Sequence, residues 1–162
     1  MFRSVRYWLI PAAIACCGAL AGPVAVAQAS DATIANTFAT ANTKLNNDEG
    51  KVASAINAYK STGRAAPVVK ALRHEVGDIR TLNQKIKSES ASSATGRTAK
   101  ADITNGLSMI GNAYATLATD IQKARAGNPV PKSTVNATVN SDKKGRAKVI
   151  KGLKLLGFKV KT

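Results

Sequence analysis

The sequence predicts an all-α protein: an antiparallel, up-down four-helix bundle that follows an N-terminal signal peptide. Three observations lead to this prediction. Apolar residues recur at alternating steps of three and four over long stretches, which is the spacing of one face of an α-helix. Aromatic residues make up only 4% of the chain, and the sustained apolar–polar alternation that strands require is missing. The breaks between the stretches are short and rich in glycine, proline and serine.

The first 29 residues have the three-part layout of a secretory signal. Arg3 and Arg6 precede a long apolar run, which ends at an Ala-Gln-Ala motif. We expect cleavage after Ala29, so that segment 1–29 is removed and 30–162 folds as a single domain. Such a domain would work outside the cytoplasm, as a secreted, periplasmic or cell-envelope protein of a bacterium.

Retention of the apolar segment 7–29 as a membrane anchor is the alternative, since about 20 apolar residues suffice to span a bilayer. Pro11 and Pro23 weaken a continuous helix in this segment, which favours cleavage. Cys16 and Cys17 are the only cysteines and lie in the same segment. Cleavage would therefore leave a domain without a disulfide, a thiolate nucleophile or a zinc-thiolate site.

The apolar stripes predict four helices. The clearest stripe belongs to the third helix, where apolar residues follow one another at steps of four and three and share one face. Its predicted core positions are Ile103, Leu107, Ile110, Tyr114, Leu117 and Ile121. Long helices joined by short loops bury such narrow stripes by packing side by side, as in four-helix bundles. The predicted helices span 31–61, 67–89, 98–125 and 132–156.

Four polar residues interrupt the stripes, namely Asp48, Asn83, Asp142 and Arg146. Because burial of an unpaired charge is costly, the favoured interpretation is that the stripes fray at these residues, toward helix ends or bends. A buried polar layer, in which the groups satisfy one another, is the alternative. For the first helix, fraying predicts a kink or a split at 46–50, where polar residues precede a glycine.

Glycines inside the helical stretches leave a second architecture open. Gly145 and Gly152 lower the helix propensity of the fourth stretch, which makes it the weakest of the four. Loop glycines also recur at intervals close to the length of known helical repeats, so a solenoid of short helical hairpins is the alternative to a bundle. Its turns would fall at Gly50, Gly77, Gly111 and Gly145. The third stripe keeps its phase through Gly111, which favours the bundle.

The sequence contains no recognisable catalytic constellation. His74 is the only histidine, and it falls on the outer face of the second helix with Asp78 one turn away, as a solvated side chain would. Met109 lies on the flank of its stripe, so haem ligation by methionine and histidine is not expected. Asp48 and Glu49 do not have the spacing of metal ligands. We therefore expect a non-enzymatic protein with no metal or cofactor.

Basic charge is concentrated near the C-terminus. Residues 30–162 contain 22 lysines and arginines against 9 acids, a net charge of +13, and residues 132–162 contribute +8 of it. On a helical wheel, lysines occupy one side of the fourth helix and apolar residues the other, with Leu155 among the lysines. The residues predicted to bind an anionic surface are Lys143, Lys144, Lys148, Lys151 and Lys154.

This charge pattern predicts a binding or scaffolding role at the cell envelope, with an anionic polymer or membrane headgroups as the partner. Specific binding of nucleic acid is not expected, because no recognition helix or aromatic stacking motif is present. Three alternatives remain open. The fourth helix could serve only to pack in the bundle, the bundle could carry a cofactor or small ligand, or the protein could be an enzyme whose site is not recognisable. The sequence predicts neither the ligand nor the oligomeric state.

Overall fold

Four α-helices make up most of the structure, a computed structural model that describes residues 29–124 and 130–158. The helices are α1 (Ala29–Thr62), α2 (Ala65–Ser88), α3 (Ala94–Ala124) and α4 (Lys132–Leu155). These described ranges contain no strand. The prediction of an all-helical chain is therefore confirmed, and each helix begins and ends within four residues of its predicted bounds.

The predicted signal peptide, and the membrane anchor that is its alternative, lie outside the described residues except for Ala29 at the beginning of α1. None of the four helices is sufficiently long and apolar to span a membrane.

Local sequence explains where the helices begin and end. Gly63 has a φ of +68° between α1 and α2, a conformation that residues with a Cβ atom rarely adopt. Pro67 follows in the first turn of α2, where its missing N–H costs nothing. At the other end of the chain, Gly157 has a φ of +88°, and the N–H of Phe158 donates to the carbonyl of Leu153 at 3.0 Å. This is a Schellman motif, which closes α4.

A capping serine places the beginning of α3 four residues earlier than predicted. The Ser93 hydroxyl accepts a hydrogen bond from the N–H of Gly96 at 2.7 Å, as an N-cap side chain does. Asp31 of α1 accepts hydrogen bonds from the Ser93 hydroxyl at 2.5 Å and from the Ser92 N–H at 3.0 Å. The Ser93 bond lowers the pKa of Asp31, and this effect outweighs burial. Helix α3 therefore begins at Ala94, and the contact with Asp31 of α1 fixes this end of the helix.

Two apolar clusters form the core. The first contains residues of all four helices, and the second contains residues of α1, α2 and α3. Most of the buried apolar residues of both clusters lie on the predicted apolar stripes of the helices. Tyr114 is half-buried and packs against both clusters. The other predicted core residues of α3 are buried, as expected; they are Ile103, Leu107, Ile110, Leu117 and Ile121.

Contacts between the helices follow chain order. The helix pairs α1–α2, α2–α3 and α3–α4 have extensive contacts. Near the beginning of α1, Thr37 donates a hydrogen bond to Glu89, just after the end of α2, at 3.1 Å. Asn83, late in α2, donates to Ser108 of α3 at 2.8 Å. The two bonds fix the register of α2 against both of its neighbours.

Small residues allow α3 and α4 to approach closely. A Cβ atom added to Gly106 would lie 2.5 Å from the carbonyl oxygen of Gly145 and 2.9 Å from the nitrogen of Val149. A Cβ atom added to Gly152 would lie 2.7 Å from the carbonyl oxygen of Ala99. Gly145 and Gly152 therefore do not weaken α4 into a loop, because the contact with α3 uses their lack of a side chain.

Two interpretations of the sequence are wrong. Helix α1 runs without a break through residues 46–50, so the prediction that the first helix splits there is wrong; the predicted kink stays a prediction. The solenoid is also excluded, because every glycine that would form one of its turns lies inside a continuous helix. These glycines are Gly50, Gly77, Gly111 and Gly145.

Candidate functional site

The five lysines predicted to bind an anionic surface are all exposed on one side of α4. We call this side the lysine face; its residues are Lys143, Lys144, Lys148, Lys151 and Lys154. The Nζ atom of Lys151 lies 3.0 Å from Oδ2 of Asp102 on α3. Within the described part of the chain, the other four lysines form no ion pair.

The opposite side of α4 packs in the core. Val149, Gly152 and Leu153 are buried there against the other helices. Leu155 instead lies among the lysines and is 40% exposed, more than any other large apolar side chain that the structure describes. The helix therefore uses its apolar side for packing and presents its charged side, with one leucine, to solvent.

A buried polar layer lies between the two apolar clusters. Arg146 of α4 is at its centre, and its Nε donates to both carboxylate oxygens of Asp142 at 3.0 and 2.8 Å. The guanidinium also donates to Glu49 of α1 and to the hydroxyl of Tyr114 on α3 at 2.8 Å. One arginine thus connects three helices. We call Glu49, Glu75, Tyr114, Asp142 and Arg146 the polar layer.

Glu75 is the α2 member of the polar layer and is 2% exposed. Burial raises its pKa to about 8, with a further rise from the charge of Glu49 that Arg146 opposes. Its carboxyl group is therefore mostly protonated at neutral pH. Burial also raises the pKa of Tyr114. Burial would lower the pKa of Arg146, but Tyr114 and the carboxylates of Asp142 and Glu49 raise it above its ordinary value.

The interpretation that the stripes fray at their polar interruptions is wrong. Asp48, Asn83 and Arg146 are buried within their helices, and each has a hydrogen-bond partner. The alternative of polar groups that satisfy one another is confirmed for the buried Arg146 and the half-buried Asp142, which are four residues apart on one helical stripe. That spacing was the signal in the sequence, since residues four apart on a helix contact each other.

The buried carboxyl of Glu75 predicts that stability falls as the pH rises. Its pKa is about 8 in the folded chain, against an ordinary value of 4.5, so the folded state binds the extra proton between these two values. The free energy of unfolding therefore decreases from about pH 5 to pH 8. Glu75→Gln should flatten this decrease in urea unfolding measured at both pH values. Asp120→Asn is the matched control and should keep the wild-type slope; an equal slope in Glu75→Gln would contradict the assignment.

A second polar cluster lies where α1 meets α2. His74 Nε2 is 3.7 Å from Oδ1 of Asp48 and 3.5 Å from Oδ2 of Asp78. The His74 side chain is 55% exposed, so its predicted position on the outer face is confirmed. The sequence did not indicate that Asp48 joins it from another helix. Lys44 and Lys51 each contact one carboxylate, at 2.5 Å to Asp78 and 2.8 Å to Asp48.

A groove of about 620 Å³ runs between α1 and α2 beside this cluster. Threonine and asparagine side chains line much of it, and its charged groups are those of Lys44, Asp78, Lys85 and Glu89.

Comparison of the chain with protein-family models, curated proteins and solved structures gives no match.

Proposed function

We propose that this chain is an exported, non-enzymatic helical protein that binds anionic surfaces of the cell envelope through the lysine face of α4. The observation that supports it is the exposure of all five lysines opposite the packed side of the helix. Lysines with no acidic partner keep their full charge for an external anion. Leu155 adds apolar area at the same face, as in helices that lie on membrane surfaces.

The proposal includes an antiparallel, up-down bundle that follows a cleaved signal peptide. The hydrogen bond between Thr37 and Glu89 supports opposite directions for α1 and α2. The contact of Gly106 with Gly145 and the contact of Ala99 with Gly152 support opposite directions for α3 and α4. In this arrangement α4 packs chiefly against α3, and the side that carries its lysines is left to solvent.

Charge reversal on the lysine face tests the proposal. We expect the wild-type chain to bind vesicles that contain an anionic lipid at low salt and to be released as salt rises, because the Debye length falls from about 10 Å at 0.1 M to about 3 Å at 1 M. The combined substitution Lys144→Glu, Lys148→Glu and Lys154→Glu should abolish this binding in a vesicle cosedimentation assay. Lys151 is left unchanged, since it pairs with Asp102.

The folded state of the triple variant is checked by circular dichroism, which should be close to wild type because the three side chains are exposed. Equal cosedimentation of the wild-type chain and the triple variant at low salt would refute the proposal. It would support the alternative in which α4 serves only to pack in the bundle.

Ligand carriage is the second candidate function, and the groove between α1 and α2 favours it. A small molecule that co-purifies in stoichiometric amount, detected by absorption or mass spectrometry, would support this candidate. Its retention by the triple lysine variant would separate it from surface binding.

A further inference from the structure

We propose that Asp48, His74 and Asp78 bind a divalent transition-metal ion, with Zn²⁺ as its representative, where α1 meets α2. One candidate ligand atom from each residue lies within 4.8 Å of the others. His74 Nε2 is 3.5 and 3.7 Å from the two nearest carboxylate oxygens. Ligands bound tetrahedrally to zinc at about 2.0–2.1 Å are roughly 3.3 Å apart. Small side-chain movements therefore bring the three residues to coordination distance.

The buried carboxylate of Asp48 is an independent indication of a ligand. Its side chain is 1% exposed, and its Oδ2 atom has no hydrogen-bond partner among the described residues; the same is true of Oδ2 of Asp78. Burial of a polar oxygen without a partner costs stability. The ammonium group of Lys44 contacts Oδ1 of Asp78, so the Oδ2 atom nearest His74 is left for a cation. In Asp48 the oxygen nearest His74 is Oδ1, which Lys51 also contacts, so the ion would compete with this ammonium group or bind the buried Oδ2.

The donor set indicates the class of metal. One imidazole nitrogen and two carboxylates suit Zn²⁺ and its neighbours, whereas Ca²⁺ takes six to eight oxygens and Mg²⁺ requires an octahedral shell. Three protein ligands leave a fourth position for water, and the half-exposed His74 gives an ion access from solvent. Burial raises the pKa of Asp78, but its contacts with Lys44, Asp48 and His74 together outweigh burial and lower this pKa.

This proposal departs from the expectation that the protein binds no metal. The reason is that the sequence shows His74 and Asp78 one turn apart on α2 but not that Asp48 of α1 lies against them. The proposal does not depend on the lysine face, so it can fail or succeed separately from the proposed function.

The single histidine makes the test specific. The full chain is prepared without a histidine tag and titrated with Zn²⁺, while nuclear magnetic resonance follows the imidazole signals of His74. We expect saturable 1:1 binding with a shift of the His74 Nε2 signal. Asp78→Asn should weaken binding by more than about tenfold, because even the loss of an outer-shell partner costs 10–100-fold. Asp120→Asn, on α3, should bind as wild type.

Two further variants separate coordination from nonspecific attraction of cations. His74→Ala changes an exposed side chain, so it should keep the helical circular dichroism and lose 1:1 binding in calorimetry. Lys51→Gln should lower the Kd for Zn²⁺, because it removes a positive charge that competes for Asp48. Lys123→Gln, an exposed residue of α3, should leave the Kd unchanged.

Absence of a saturable His74 shift would overturn the proposal, as would wild-type binding by His74→Ala. Wild-type affinity in a folded Asp78→Asn variant would overturn the three-residue site as well. If Asp78→Asn does not fold, the binding measured for His74→Ala decides whether the proposed site exists.

Discussion

Gly106→Ala is expected to destabilise the protein by about 1–3 kcal/mol, the usual cost of adding a methyl group to a well-packed contact. The new Cβ atom would lie 2.5 Å from the carbonyl oxygen of Gly145 and 2.9 Å from the backbone nitrogen of Val149. Rotation of a side chain cannot relieve contacts with backbone atoms, so α3 and α4 would have to move apart. Urea unfolding followed by circular dichroism measures the change in the free energy of unfolding.

Gly77→Ala is the matched control for this prediction. Gly77 also lies inside a helix, but a Cβ atom added there would have no atom within 4 Å. The same substitution should therefore stabilise the protein by about 0.5–1 kcal/mol, because alanine favours the helix over glycine. Stabilisation of similar size in both variants would contradict the close contact between α3 and α4.

Arg146→Met is expected to destabilise the protein by about 3–5 kcal/mol, the usual result when one partner of a buried ion pair is removed. Methionine keeps much of the volume of arginine but leaves Glu49 and Asp142 without the guanidinium that both contact. The Tyr114 hydroxyl would also lose its donor. Thermal or urea unfolding at pH 7 gives the difference from wild type.

The double variant Glu49→Gln with Arg146→Met should recover part of this loss, because it removes one of the unpaired charges. Arg80→Met is the control, since Arg80 is exposed on α2. Its effect should stay within about 0.5 kcal/mol, as for most surface substitutions. A similarly small effect of Arg146→Met would mean that the polar layer contributes little to stability.

The helices could be predicted because their signals are local. Apolar spacing along α3 identified five residues that are buried, and Pro67 marked the first turn of α2. The beginning of α3 was misplaced because its cap, Ser93, is held by Asp31, which is 62 residues away in the sequence. Spacing along one helix does not show such a contact.

The polar layer was misread for the same reason. Arg146 and Glu49 are 97 residues apart, so the sequence shows Arg146 only as an interruption of its own stripe and does not show that Glu49 contacts it. Gly145 likewise has a low helix propensity when α4 is considered alone. Its lack of a side chain is explained only by the close contact with Gly106 of α3. Apolar spacing and helix propensity are properties of a single helix. The roles of Arg146 and Gly145 depend instead on contacts between two helices.

The candidate sites differ in the same way, because one lies on a single helix and the other is formed by two helices. The lysine face could be predicted, because one helical wheel determines which side of α4 is apolar and which is charged. Asp48 could not be assigned to the cluster with His74, because that contact depends on the register between α1 and α2. The same register sets which residues line the groove.

Two variants of equal net charge provide the most direct test of the central claim, that the lysine face of α4 binds anionic surfaces. One variant reverses Lys144, Lys148 and Lys154 to glutamate, and the other reverses three exposed lysines elsewhere. The control lysines are Lys70, Lys87 and Lys123 on α2 and α3. Cosedimentation with anionic vesicles at low salt should be abolished only in the first variant, and equal loss or equal retention in both would contradict the claim.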